Sequence, residues 1–230
     1  MINTPIPSVG IIMDGNRRWA ASRGLPSVAG HKEGVEVIKR LAKDVVRLEK
    51  EYGLKYVTLF TFSTENWSRS PEEVRYLMNL IETEFARLVE HLAGQNIRVR
   101  IVGDTRAFSE PIQKVFADVE EKTKNNSGVT VAFALSYGGR AEIINATNQA
   151  IKEGKPVDEE TFAKLLYTNE MADPDIVIRT GGEQRLSGFL PWQAVYSELF
   201  FTEDFWPDFT TAKLEMIFKE YKERERRHGK

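Results

Sequence analysis

Val9-Gly10-Ile11-Ile12-Met13-Asp14-Gly15-Asn16-Arg17-Arg18-Trp19 sets a short apolar run directly against a polar turn. The run Val9–Met13 is continuous rather than alternating, the pattern of a strand covered on both faces, as in parallel sheets. Asp14 then stands at the strand's carboxyl end, Gly15 permits a tight turn, and a helix begins beyond it.

Working outward, the same unit recurs. Further strands are expected at Tyr56–Phe62, Ile97–Val102, Val129–Leu135, Asp175–Arg179 and Glu198–Phe201. Amphipathic stretches separate them. The clearest helix runs from Pro71 to about Ala93: Ser70 is an N-cap, Pro71 sits at N1, and Glu73 at N3 completes a capping box. Val74, Leu77, Met78, Ile81, Phe85, Leu88 and Leu92 mark one face at helical spacing, and Gly94 supplies a C′ stop. A second helix carries Val35, Ile38, Leu41, Ala42, Val45 and Leu48. Others are expected near Ser109–Thr123 and Ala141–Lys152, after Asp158, and from about Thr210. This alternation predicts an α/β fold: a single domain over residues 1–230, with a mostly parallel central sheet of about six strands flanked by helices. Ligands in such sheets bind beyond the carboxyl ends of the strands.

Composition narrows the function. Thirty-two basic residues against 34 acidic give a net charge of −2, which argues against nucleic-acid binding. No cysteine is present, so thiolate nucleophiles and cysteine-based zinc sites are excluded. The first residues lack the marks of a signal peptide, and no apolar run approaches the ~20 residues that cross a bilayer. The expectation is a cytoplasmic protein, in which a lipid tail would be held by a protein cavity.

Three polar segments follow predicted strands. In the first, Asp14 could ligate Mg²⁺, while backbone N–H groups and arginines hold diphosphate oxygens. From this segment alone the readier reading is an Asx-type turn capping a helix, with the arginines solvated. In the second, Phe62-Ser63-Thr64-Glu65-Asn66-Trp67-Ser68-Arg69, loop placement suits a site; alternatively Trp67 packs on the core while Ser63 and Thr64 cap backbone groups. The third, Arg179-Thr180-Gly181-Gly182-Glu183-Gln184-Arg185-Leu186-Ser187, forms an anion cradle of flexible donors and guanidinium forks. It matches neither a Walker A loop nor a dinucleotide fingerprint. His31 reads as a packing residue at a helix start, and Tyr137-Gly138-Gly139-Arg140 as a turn into a helix.

Taken in order, these segments resemble the undecaprenyl diphosphate synthase family of cis-prenyltransferases. The resemblance runs from residue 9 to 229. It rests on Ile12–Asn16, Arg18-Trp19, Gly30-His31-Lys32, Phe62–Trp67, Tyr137–Arg140, Ile178–Glu183 with Arg185, Tyr196-Ser197-Glu198-Leu199 and Trp206–Phe209. It implies the cis-prenyltransferase fold. It also implies Mg²⁺-dependent condensation of isopentenyl diphosphate with an allylic prenyl diphosphate, farnesyl or geranyl, to a longer polyprenyl diphosphate such as undecaprenyl diphosphate. By the same resemblance Asp14 binds Mg²⁺ and helps the allylic diphosphate leave. Gly15, Asn16, Arg17, Arg18 and His31 hold that diphosphate, with Trp19 beside the chain. Ser63, Thr64, Glu65, Asn66, Trp67 and Arg69 shape the reaction centre, Asn66 as proton acceptor. Arg179, Arg185, Leu186 and Ser187 hold isopentenyl diphosphate, and Glu198 is a second Mg²⁺-linked carboxylate. Arg227 reaches into the partner of a homodimer, and membrane contact is at most peripheral, for product release. The alternative is a non-catalytic, lipid-binding or stabilising subunit of the same fold; such subunits lose the Asp-Gly-Asn and Phe-Ser-x-Glu-Asn-Trp residues retained here. Arg17, Ser27, Ser136, Gln184 and Gly188 depart from residues common in the family.

Overall fold

The computed structural model describes residues 5–154 and 156–224. Six strands, β1 (Ser8–Ile12), β2 (Tyr56–Ser63), β3 (Arg98–Val102), β4 (Thr130–Tyr137), β5 (Ile176–Arg179) and β6 (Glu198–Phe201), form one sheet in the order β3-β4-β2-β1-β5-β6. Every neighbouring pair is parallel, so the sheet is parallel throughout rather than mostly so. The helices are α1 (Asn16–Ala21), α2 (Ser27–Tyr52), α3 (Pro71–Ala93), α4 (Glu110–Thr123), α5 (Gly139–Glu153), α6 (Glu159–Ala163) and α7 (Thr211–Glu223).

Burial on both faces explains the continuous apolar strands: all five residues of β1 and all eight of β4 are buried. Successive side chains alternate between two cores. Ile11, Val131, Phe133, Ile176 and Ile178 pack with α2, α3, α4 and α7 in the larger core; Ile12, Ala132, Ala134 and Val177 meet Phe189 and Leu190 in the smaller one. β1 lies between β2 and β5, so the chain's direction of winding changes there. A crevice opens beyond the carboxyl ends of these three strands.

Two details of α3 differ from expectation although its bounds agree. The Ser70 hydroxyl accepts from the Glu73 N–H as predicted, but the Glu73 carboxylate binds Arg17 and Arg69 (3.2 and 2.8 Å). A nearby cation outbids the backbone N–H for that carboxylate. Gly94 keeps right-handed helical geometry (φ −64°), and the chain reverses at Asn96 (φ 57°). Asparagine tolerates that conformation.

Candidate active site

Asp14 leaves β1 and is held on every side. Its N–H donates to the Thr180 hydroxyl oxygen (2.9 Å), and that hydroxyl lies 2.7 Å from the Asp14 carbonyl oxygen, to which it donates. One carboxylate oxygen accepts from the Gly15 N–H (2.6 Å) and lies 3.3 Å from Arg18; the other accepts from Arg179 Nη2 (2.8 Å). Burial alone would raise the Asp14 pKa. The Arg179 hydrogen bond, the Gly15 N–H and the Arg179 and Arg18 charges outweigh it and hold the carboxyl below its ordinary range. Asp14 is therefore ionised at neutral pH, half-buried, and faces the crevice.

Arg179 ends β5 beside Ile12 of β1 and is almost fully buried. Its Nη1 donates to the Arg185 carbonyl oxygen (2.5 Å) and the Ser187 hydroxyl (2.8 Å), which wraps the following loop around its guanidinium. Gly181 makes that wrap possible: its φ is 87°, and a Cβ there would stand 2.7 Å from Arg18 Nη2. Gly30 plays the same part for the helices. A Cβ on it would lie 1.9 Å from the Asn16 carbonyl oxygen, so α2 crosses α1 at backbone distance and brings His31 to the crevice.

The crevice encloses about 580 Å³. Its mouth is polar, with Asp14, Asn16, Arg17, Arg18, His31, Ser63, Asn66, Arg69, Arg179 and Ser187. Its inner end is apolar, with Val35, Ile38, Phe62, Leu77, Ile81 and Trp206. Three buried polar atoms on its wall have no hydrogen-bond partner in the protein: Asn16 Oδ1, His31 Nε2 and Arg179 Nε. Burial, reinforced by the Arg69 and Arg17 charges and opposed by Glu73, pushes the His31 pKa down to about 4. The ring is thus neutral at pH 7 and has a free nitrogen for a ligand. Asn66 is fixed by its Oδ1, which accepts from the Ser63 N–H (2.9 Å).

Not every expected residue joins this wall. Trp67 takes the packing alternative: its ring lies 4.9 Å from Phe62, and its Nε1 donates to Ser136 (3.0 Å). Thr64 packs against Gly138, and Glu65 is exposed on the short helix that follows β2. Trp19 sits at the rim, its Nε1 donating to Asp208 (2.8 Å) beneath the Arg23 guanidinium. Leu186 packs on the smaller core, and the exposed Arg185 turns outward to Glu183 (2.5 Å). Glu198 opens β6 opposite Ile176, whereas Arg179 lies opposite Phe201. It therefore stands roughly 10 Å down the sheet from the crevice end, paired with Arg224 (2.8 Å). Within one chain Glu198 and Asp14 do not share a site. Arg227 lies outside the described residues.

Two residues of the site escaped the sequence reading. Thr180 clamps the Asp14 backbone, a role its position beside Arg179 could have suggested. Glu73 joins Arg17 of α1 to Arg69, and only the fold brings those arginines together. Among the described residues no group of three or more acidic or histidine side chains could by itself cage a metal, and no helix is long and apolar enough to cross a membrane.

The molecule is thus a parallel α/β sheet with an arginine-lined polar crevice at its carboxyl edge and an apolar lining behind it. Comparison with known proteins names the family. The prenyltransferase family model, described as that of undecaprenyl diphosphate synthase, matches residues 12–229. An isoprenyl transferase of Thermotoga maritima is 46% identical over 226 residues, covering 96% of this chain and 95% of its own. One from Oceanobacillus iheyensis is 44% identical, covering 97% and 90%. Lavandulyl diphosphate synthase from Lavandula x intermedia, solved with dimethylallyl diphosphate, superimposes with a TM-score of 0.91 at 35% identity, covering 99% of each chain. A probable undecaprenyl diphosphate synthase from Campylobacter jejuni gives 0.82 at 31% identity, covering 99% of this chain and 100% of its own. The chain belongs to the undecaprenyl diphosphate synthase family and is a prenyl transferase.

Proposed function

We propose that this enzyme condenses isopentenyl diphosphate with an allylic prenyl diphosphate, farnesyl or geranyl, in the cis sense and with Mg²⁺, to give a longer polyprenyl diphosphate. The observation that carries the reading is the two-ended crevice: unpartnered polar atoms and arginines around an ionised Asp14 at the mouth, and an apolar hollow behind them. A diphosphate fits the first and an isoprenoid tail the second.

In each cycle a C–C bond forms between allylic C1 and the terminal alkene carbon of isopentenyl diphosphate. The allylic C–O bond breaks with its electron pair on the departing diphosphate, and a proton leaves C2 of the incoming unit to restore a double bond. Arg17, Arg18 and His31, at the mouth with Asn16, hold the allylic diphosphate. Arg179, Arg185 and Ser187 hold the diphosphate of isopentenyl diphosphate, and Asn66 takes the C2 proton. Val35, Phe62, Leu77 and Ile81 exclude water from the developing allylic cation. Holding both substrates in attack geometry supplies much of the rate.

Asp14 fits Mg²⁺: it is one ionised, partly exposed carboxylate at a diphosphate site, and Mg²⁺ takes one or two carboxylates with phosphate oxygens and water. When bound there, the metal supplies charge stabilisation for the leaving diphosphate. Glu198 would contribute only from a second copy of the chain. A homodimer is supported by the edge strand β6 and the turn before it, where Leu199 and Phe201, and Val195 and Tyr196, expose apolar surface beside a sheet edge that no other described strand covers. In this reading the protein works in the cytoplasm, touching the membrane only to release product.

Incubation with radiolabelled isopentenyl diphosphate, each allylic primer and Mg²⁺ tests the reaction. Absence of label in extractable lipid with every primer would refute it. For the shared site, Asp14→Ala and Arg227→Ala, each inactive alone, are unfolded and refolded as an equal mixture. Recovery to about a quarter of wild-type activity is expected, since about half the dimers would hold one intact site. No recovery, with exchange verified by tagged subunits, would sink the shared site.

A further inference from the structure

The β2–β4 ladder slips out of register where it reaches the crevice. Phe60 pairs with Ala134, Phe62 with Leu135 and Ser63 with Tyr137, so Thr61 in β2 and Ser136 in β4 stand opposite no residue. Ser136 is a bulge residue with φ 48°, in the left-handed region. It is almost fully buried, and the Asp104 N–H donates to its carbonyl oxygen (3.3 Å). A serine held in that conformation is strained. Bulges beside functional sites re-aim side chains.

The two cores show what this bulge re-aims. Along β4, Val131, Phe133 and Leu135 face the larger core, while Ala132 and Ala134 face the smaller one. Unbroken alternation would turn Ser136 to the smaller core and Tyr137 to the larger. Instead Tyr137 lies in the smaller core, and the Ser136 hydroxyl reaches Trp67, which packs on the larger core. The hydroxyl oxygen accepts from Trp67 Nε1 (3.0 Å). The indole otherwise meets only apolar rings here, Phe62 with centroids 4.9 Å apart and Phe108 at 5.3 Å. Those contacts hold the ring in place, and the directional hydrogen bond fixes its orientation. Trp67 follows Asn66 in the short helix Thr64–Ser68, and Asn66 lines the crevice although Ser136 does not.

We infer that Ser136 is a positioning residue for the reaction: its hydroxyl holds Trp67, and through it the short helix that presents Asn66 to the crevice. The inference rests on the reading of Asn66 as proton acceptor given above. Ser136 touches neither diphosphate, so its loss acts on the geometry of the chemical step and not on substrate affinity.

Steady-state kinetics with isopentenyl diphosphate, an allylic primer and Mg²⁺ test this, together with urea unfolding of the same proteins. Ser136→Ala and Ser136→Gly both lack the hydroxyl, but only glycine accepts a positive φ without strain. Each should lower kcat about tenfold, the effect of one lost orienting hydrogen bond, and leave both KM values within about twofold of wild type. Ser136→Gly should nevertheless unfold at higher urea than Ser136→Ala, so that activity follows the hydroxyl while stability follows the backbone. Trp67→Phe keeps an aromatic ring but has no N–H to hold. On that background Ser136→Ala should change kcat by less than about twofold. Wild-type kcat in a folded Ser136→Gly would overturn the proposal, as would an undiminished effect of Ser136→Ala on the Trp67→Phe background. A wild-type enzyme that elongates no primer would instead defeat the condensation reading itself, so the two failures are distinguishable.

Discussion

Asp14 and Glu142 are both carboxylic acids set just past the carboxyl end of a strand, one after β1 and the other in the first turn of α5 after β4. Their surroundings differ in one respect. Asp14 meets two guanidinium groups and an N–H, and its pKa is held below the ordinary value despite burial. Glu142 is nearly inaccessible and meets only neutral donors: Tyr137 O–H (2.6 Å), Gln193 Nε2 (3.1 Å) and the Tyr167 N–H (2.9 Å). Burial dominates there, and its pKa is raised. At Glu142 the hydrogen bonds from neutral donors lower the pKa but do not offset the loss of water around the charge. One acid is kept charged at the mouth of the crevice; the other ties α5 to the segments carrying Tyr167 and Gln193.

The largest expected contrast is catalytic. Asp14→Asn should leave a folded protein whose turnover falls on the order of 10²-fold or more, the scale for a lost transition-state contact. Steady-state rates at saturating Mg²⁺ check this, and a near-normal rate would remove Asp14 from the chemistry. Glu142→Ala should act on stability instead, costing about 3 kcal/mol or more because it strands three buried donors at ~1–3 kcal/mol each. Urea unfolding measures it; a cost within error of zero would mean that water replaces the carboxylate.

A smaller effect concerns Arg185, whose backbone carbonyl holds Arg179 while its exposed side chain turns to Glu183. Arg185→Ala should raise the KM for isopentenyl diphosphate about tenfold, the loss of one charge-assisted contact, and spare the KM for the allylic primer. Equal rises in both would make the loop a common scaffold.

The smallest and most direct contrast is in pH dependence. The lowered pKa of Asp14 contributes stability above its unfolded value, and that contribution is lost as pH falls through the folded pKa. The raised pKa of Glu142 has the opposite sign: its contribution is present below the unfolded value and lost as pH rises through the folded one. Relative to wild type, Asp14→Asn should therefore flatten the acid side of a stability profile, and Glu142→Gln should flatten the decline above it. Parallel profiles for all three proteins would show that the two acids do not differ in this way.

Much of this was legible in the chain itself, and the reason is local. The Ser70 cap, Pro71 at N1 and the apolar spacing defined α3 to its observed ends, because caps and periodicity are properties of neighbouring residues. The continuous runs in β1 and β4 announced burial on both faces. Trp67 was ambiguous for an equally physical reason. An indole in a strand-to-helix loop can face solvent or core, and only the approach of Phe62 and Ser136 decides. The place of Glu198 was illegible for a like reason: the sequence shows a carboxylate in a strand without showing which end of the sheet that strand presents.

What the sequence by itself determined was the class of fold, the order of the strands along the chain, and the residue types available for a diphosphate site. Only the tertiary structure decided their company. Asp14 meets Arg179 across 165 positions because β1 and β5 lie side by side in parallel register. Arg17 of α1 meets Glu73 of α3 across 56 positions, and Phe85 of α3 meets Phe133 of β4. Contacts of that range depend on strand order and helix packing, which arise from the burial of the whole core at once, and no local stretch of sequence encodes them.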